Sequence, residues 1–154
     1  GSYMDVSLAG TAARWGAPGL VGLCAAAVAA ALCHYFGLRL NQRDRTREAV
    51  VLVGLGAVLA TPVAWTHHAV WIVPATFLFF QSDASLFARA AWVASLTPFL
   101  LRFPSIAVSL SDGFVSRSLM TTTTVGLAAM AALTVQAHGS ARRASGPLVT
   151  THAA

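Results

Sequence analysis

The chain has no lysine and only five acidic residues in 154, and its charged fraction is 10%. A soluble domain carries roughly 25% charged residues to cover its surface, so a water-exposed globule is excluded. Disorder is excluded by the same scarcity, because disordered chains are polar and charged. Cysteine is nearly absent too. Cys24 and Cys33 share one apolar run, where nine residues of helix turn by about 180° and rise about 13.5 Å. They cannot bridge each other there, and they read as small apolar packing residues. No Cys/His metal box is present, so neither a metal nor a cofactor is expected. What the chain has in plenty is apolar: the hydrophobic fraction is 56% and the mean hydropathy +0.69. The composition predicts an all-α integral membrane protein.

The formal charge of +5 and pI of about 10.6 come from ten arginines placed mostly between apolar runs. That is a membrane-topology pattern rather than a nucleic-acid one. No charged n-region followed by a cleavage site opens the chain, so no signal peptide is read. About five hydrophobic segments are expected. Three are clear spans, at 17–38, 49–65 and 119–137, and a short pair or re-entrant hairpin occupies 69–101. Residues 69–80 make only about 18 Å of helix, short for a bilayer. Residues 1–16 read as an outer N-terminal segment, 17–137 as the transmembrane region and 138–154 as a disordered cytoplasmic tail. Arg39, Arg43, Arg45, Arg47, Arg89, Arg142 and Arg143 fall on one side, and Arg14, Arg102 and Arg117 on the other. Seven against three puts the first group in the cytoplasm of a multi-pass plasma-membrane protein. An N-terminus outside suits the C-terminal part of a larger protein. Residues 102–117 are then an outer loop, and the hydroxyls of Thr121 to Thr124 are expected to bond back within the last helix.

One stretch is unusual. His67 and His68 sit at a predicted membrane boundary between Trp65 and Trp71, inside Pro62 and Pro74. Ionisable groups at membrane depth are costly and tend to mark function; the alternative is polar residues closing a turn beside an aromatic belt. A metal site is disfavoured, because adjacent histidines on a helix diverge by about 100° and no third ligand follows.

Pro62-Val63-Ala64-Trp65-Thr66-His67-His68, followed by Val70-Trp71 and Pro74, resembles the SPxSWxHHxVWxxP signature of the actinobacterial membrane mannosyltransferases of glycosyltransferase family 87, in the GT-C class. Ser7-Leu8-Ala9-Gly10 with Arg14 resembles that family's NQSLxGxxxR element, with Asp5-Val6 in place of Asn-Gln. Residues 104–137 resemble its final outer loop and last helix. The resemblance spans nearly the whole chain but only about the C-terminal third of the family. It implies a GT-C-like helical bundle and transfer of mannose from a polyprenyl-phosphate-mannose donor to a glycolipid or lipoglycan acceptor at the outer membrane face. His67 and His68 are the implied catalytic residues. Trp65, Trp71, Arg102, Asp112 and Arg117 are the candidate substrate contacts. The family's catalytic carboxylate lies in a first outer loop to which no part of this chain corresponds. The isolated chain is therefore expected to be inactive and to need a missing N-terminal half. Two other classes stay open: a non-enzymatic membrane subunit or truncated relic, and a small transporter. The almost wholly apolar first two spans argue against the transporter.

Overall fold

The structure is a computed structural model that describes residues 5–61, 70–101, 104, 106, 107, 110 and 113–139. Among the described residues there is no strand. The chain forms α1 (Leu8–Arg14), α2 (Gly19–Asn41), α3 (Thr46–Ala60), α4 (Ile72–Gln81), α5 (Leu86–Leu100) and α6 (Phe114–Gly139). Helix α6 is the hub and touches all five others. Among the described residues two helices, α2 and α6, are long and apolar enough to cross a membrane.

Each helix end has a local cause. Ser7 caps α1, its hydroxyl accepting from the Gly10 N–H at 2.9 Å, and Gly16 at φ 72° turns the chain out of α1 toward α2. Thr61 leaves α3 in an extended conformation (ψ 132°), as the residue before a proline prefers. Helix α3 closes at Ala60, and the expected end of the second span at 65 falls in residues 62–69, which lie outside the described set. Ser85 caps α5 by accepting from the Ala88 N–H. Arg89 reaches back to the Ser82 carbonyl across the α4–α5 turn. The last helix starts at Phe114, so Arg117, expected in a loop, lies in its first turn. The expected tail from 140 to 154 lies outside the described residues.

Small residues set the helix spacing. A Cβ on Gly56 would overlap Cys33, and one on Gly126 would come 2.6 Å from the Ser95 carbonyl oxygen. Both glycines let neighbouring helices approach closely where any side chain would collide. Cys33 against Gly56, and Gly37 against Val53, run α2 and α3 antiparallel. Phe36 and Val135 share a wall, and α6 runs parallel to α2. One end of the bundle therefore gathers α1, the start of α6 and the close of α3. The other gathers Arg39, Arg43 and the α2–α3 turn.

Burial is uneven. Of the apolar window of α2 only 17% is buried, against 44% for α6. Leu20, Val21, Leu23, Val28 and Leu32 of α2 are all more than half exposed. An outward apolar surface of this extent is of the kind that meets lipid or a protein partner.

Candidate functional site

His67, His68, Trp65, Arg102 and Asp112 lie outside the described residues. Two of the sequence-derived candidates are placed. Trp71 is half-buried at the start of α4, its indole against Gly54 in the middle of α3, where any Cβ would overlap the ring. It walls a cavity of about 450 Å³ shared with His34, Asn41 and Thr46. Arg117 is exposed on the first turn of α6. The two are not brought together. Gly54 stands near the level of Cys33, which faces Ala131 of α6 across a cavity, and Arg117 precedes Ala131 by a run of helix roughly 21 Å long.

The structure instead assembles a polar cluster at the α1 end. Asp5, Ser7, Thr123 and Thr124 are buried there. The Asp5 carboxylate accepts the Ser7 N–H at 2.9 Å, an Asx turn. It lies directly over Gly10, whose missing side chain makes room; a Cβ there would collide with the carboxyl group. From the far end of α1, Arg14 returns to the same spot. Its Nη1 donates to the Asp5 carbonyl at 2.6 Å and its Nη2 to Thr11 Oγ1 at 2.8 Å. Thr11 and Thr124 hydroxyls are 2.8 Å apart, and Thr124 Oγ1 lies 3.0 Å from the Val6 carbonyl and 3.3 Å from that of Met120.

The donors order this chain. Each hydroxyl has one hydrogen. Thr11 Oγ1 accepts from Arg14, so its hydrogen is free for Thr124 Oγ1. The Thr124 hydrogen then goes to the Val6 carbonyl, the shorter of its two options. The result is a directed path from guanidinium through two hydroxyls to a buried carbonyl. Beside it, Trp15 Nε1 donates to Thr121 Oγ1 at 2.7 Å, and the Trp15 ring meets Phe114 edge to face. Burial pulls the Arg14 guanidinium below its ordinary pKa, and the nearby Asp5 charge opposes that pull. Arg14 Nε is buried with no hydrogen-bond partner.

Comparison with family models, curated proteins and solved structures gives no match. The functional reading rests on the short motifs and on this geometry.

The threonine run behaves as expected within α6: Thr121, Thr122 and Thr123 donate to the carbonyls of Arg117, Ser118 and Leu119 at 2.8, 2.9 and 3.0 Å. What sequence reading missed is that Thr124 and Thr121 also serve α1. Thr11 and Thr124 are 113 positions apart, and the one sequence signal was a cluster of hydroxyls inside an apolar helix. Among the described residues no group of three or more His, Cys, Asp or Glu side chains could hold a metal ion.

Proposed function

We propose that this chain is the C-terminal helical part of a membrane mannosyltransferase, taking mannose from a polyprenyl phosphate and passing it to a hydroxyl of a glycolipid or lipoglycan at the outer face of the plasma membrane. The observation that supports this reading most is the Asp5–Arg14 cluster. Three of the positions by which the segment resembles NQSLxGxxxR, Ser7, Gly10 and Arg14, have a geometric role. Serine caps the helix, glycine admits the residue-5 side chain, and arginine folds back onto the residue-5 carbonyl. The departure at position 5 is mild on this view. An asparagine amide oxygen would accept the same Ser7 N–H that the Asp5 carboxylate accepts.

In the proposed reaction the acceptor oxygen forms a bond to the anomeric carbon and the carbon–oxygen bond to the lipid phosphate breaks. The acceptor proton passes to His67, whose neutral imidazole suits a base near pH 7. His68 orients the turn or contacts phosphate. Arg102 and Arg117 stabilise the departing phosphate through charge-assisted hydrogen bonds. Trp65 flanks the sugar or anchors the segment, Trp71 anchors the segment through its packing on Gly54, and Asp112 binds acceptor hydroxyls.

Two expected results test the reading. In a background free of Cys24 and Cys33, an impermeant thiol reagent on intact cells labels Ser111→Cys and not Arg43→Cys, following the arginine asymmetry; the reverse pattern overturns the orientation. The purified 154-residue chain gives no mannosyl transfer with a polyprenyl-phosphate-mannose donor. Robust turnover by it alone would move the search for a catalytic acid to Asp5 or Asp112.

A second reading has an observation of its own. Apart from Arg14 Nε, the polar atoms of the α1 cluster described above satisfy one another. That closure is what a structural tie between α1 and α6 needs, and it favours a non-enzymatic membrane subunit. Transfer activity in membranes carrying the full coding region, abolished by changes at His67, distinguishes the enzyme from the subunit.

A further inference from the structure

The opposite end of the bundle holds a feature that the proposed transfer does not use. Between α2, α3 and α6 opens an apolar slot of about 310 Å³, walled by Leu32, Phe36, Leu52 and, on α6, by Ala128, Ala131 and Ala132. The alanines leave the space; larger side chains on α6 would fill it. Phe36 and Val135 also bound a second hollow of about 320 Å³, whose other walls are Tyr35, Arg39, Leu40 and Arg43. The apolar slot and the hollow that carries two guanidinium groups one helical turn apart therefore adjoin, sharing Phe36 and Val135.

Those guanidiniums are available. Arg39 is steadied by its own helix, with Nε donating to the Tyr35 hydroxyl at 3.2 Å and the guanidinium 5.3 Å from the Tyr35 ring centre. Neither Arg39 nor Arg43 makes an ion pair among the described residues. The nearby Glu48 is held by Arg45 at 2.9 Å.

We propose that this slot binds an anionic membrane phospholipid, one acyl chain lying between α2 and α6 and the phosphate resting against Arg39 and Arg43. Charge complementarity selects this occupant. An apolar cleft with a cationic mouth matches an amphiphile with an anionic head, and basic pockets between membrane helices bind such headgroups. A neutral lipid leaves both arginines without a counter-charge, and a free phosphate leaves the slot unfilled. The inference rests on the membrane placement in the proposed function and not on its transfer chemistry.

The test uses the full chain in neutral detergent micelles, titrated with phosphatidylglycerol and followed by native mass spectrometry and thermal shift. Phosphatidylglycerol binds saturably, phosphatidylcholine with the same acyl chains binds at least tenfold more weakly, and inorganic phosphate gives no thermal shift. The double variant Arg39→Gln/Arg43→Gln weakens phosphatidylglycerol binding about thirtyfold, from roughly fivefold per guanidinium near a membrane surface. Ala132→Leu, which fills the slot and keeps both charges, weakens it as well. Arg47→Gln, an equal loss of charge away from the slot, leaves affinity within about twofold of wild type on the same scale. Equal binding of phosphatidylcholine, unchanged binding by the double variant, or an equal loss in Arg47→Gln overturns the proposal. A full thermal shift with inorganic phosphate alone also overturns it in favour of a free-anion site, and a lipid-free dimer broken by Ala132→Leu overturns it in favour of a second copy. No readout involves sugar transfer, so the proposal and the enzymatic reading fail separately.

Discussion

On the proposed function, His67→Ala lowers mannosyl transfer by about 10²–10⁴-fold in the full-length or complemented enzyme, the range that general acid–base catalysis typically supplies, while membrane insertion is unchanged. The expectation follows from place and chemistry. Helix α3 ends at Ala60, before Pro62, and α4 begins at Ile72; His67 falls between them in sequence, in the stretch that resembles the family's histidine signature. A base there would serve both a lipid-borne phosphate and an acceptor hydroxyl at the membrane surface. His67→Gln separates two roles, because glutamine keeps a hydrogen-bond donor but takes up no proton at neutral pH. Loss of turnover in both variants supports a base. Near-normal turnover in His67→Gln, with loss in His67→Ala, makes the residue a phosphate or sugar contact. Near-normal turnover in a well-expressed His67→Ala protein makes the histidine pair structural. His68→Ala costs less than His67→Ala if His68 orients the turn.

Trp92→Ala destabilises the chain by about 3 kcal/mol, the lower end of the range for removing a buried large aromatic. Trp92 is fully buried, its ring stacks on Phe79 at 4.2 Å and 12°, and its Nε1 donates to Thr76 at 3.2 Å. These contacts join α4 to α5 across the Ser82–Ser85 turn and hold the short pair together. On the proposed membrane placement the lower end of the range applies, because lipid is itself apolar and the loss is chiefly packing and one hydrogen bond rather than transfer from water. Thermal unfolding in detergent falls by roughly 6–12 °C for a chain of this length. Trp92→Phe keeps a stacked ring and loses about half as much. A Trp92→Ala protein melting within about 2 °C of wild type, on the same scale, shows that the α4–α5 contact does not carry stability. The same contact bears on how residues 69–101 sit. Helix α4 has 10 residues and α5 has 15, about 15 and 22 Å of helix, both short of a roughly 30 Å hydrocarbon core.

Much of the architecture was legible in the residues alone because its causes are local. Two long charge-poor runs became α2 and α6, while the expected end of the second run at 65 lies outside the described residues. The threonines of α6 bonded back one turn, as hydroxyls in an apolar helix do in the absence of water. The expected boundaries erred where neighbours decide them: α2 continues to Asn41 through Arg39, and α6 starts at Phe114, where Ser116 donates to the Ala107 carbonyl and Trp15 packs on Phe114.

Composition and local pattern, then, determined that this chain is helical and apolar, where its longest helices lie and which residue types could carry chemistry. Tertiary structure decided which helix faces meet. A helix as apolar outside as inside, such as α2 with Leu20, Leu23 and Val28 exposed, carries no stripe from which its partner could be read. Only packing, set by the small residues at Gly10, Gly56 and Gly126, joined Thr11 to Thr124 across 113 positions, laid Asp5 over Gly10, and set Trp71 far from Arg117. It also set an apolar slot beside the hollow that carries Arg39 and Arg43, because side chains far apart in sequence become neighbours only when helix backbones come close.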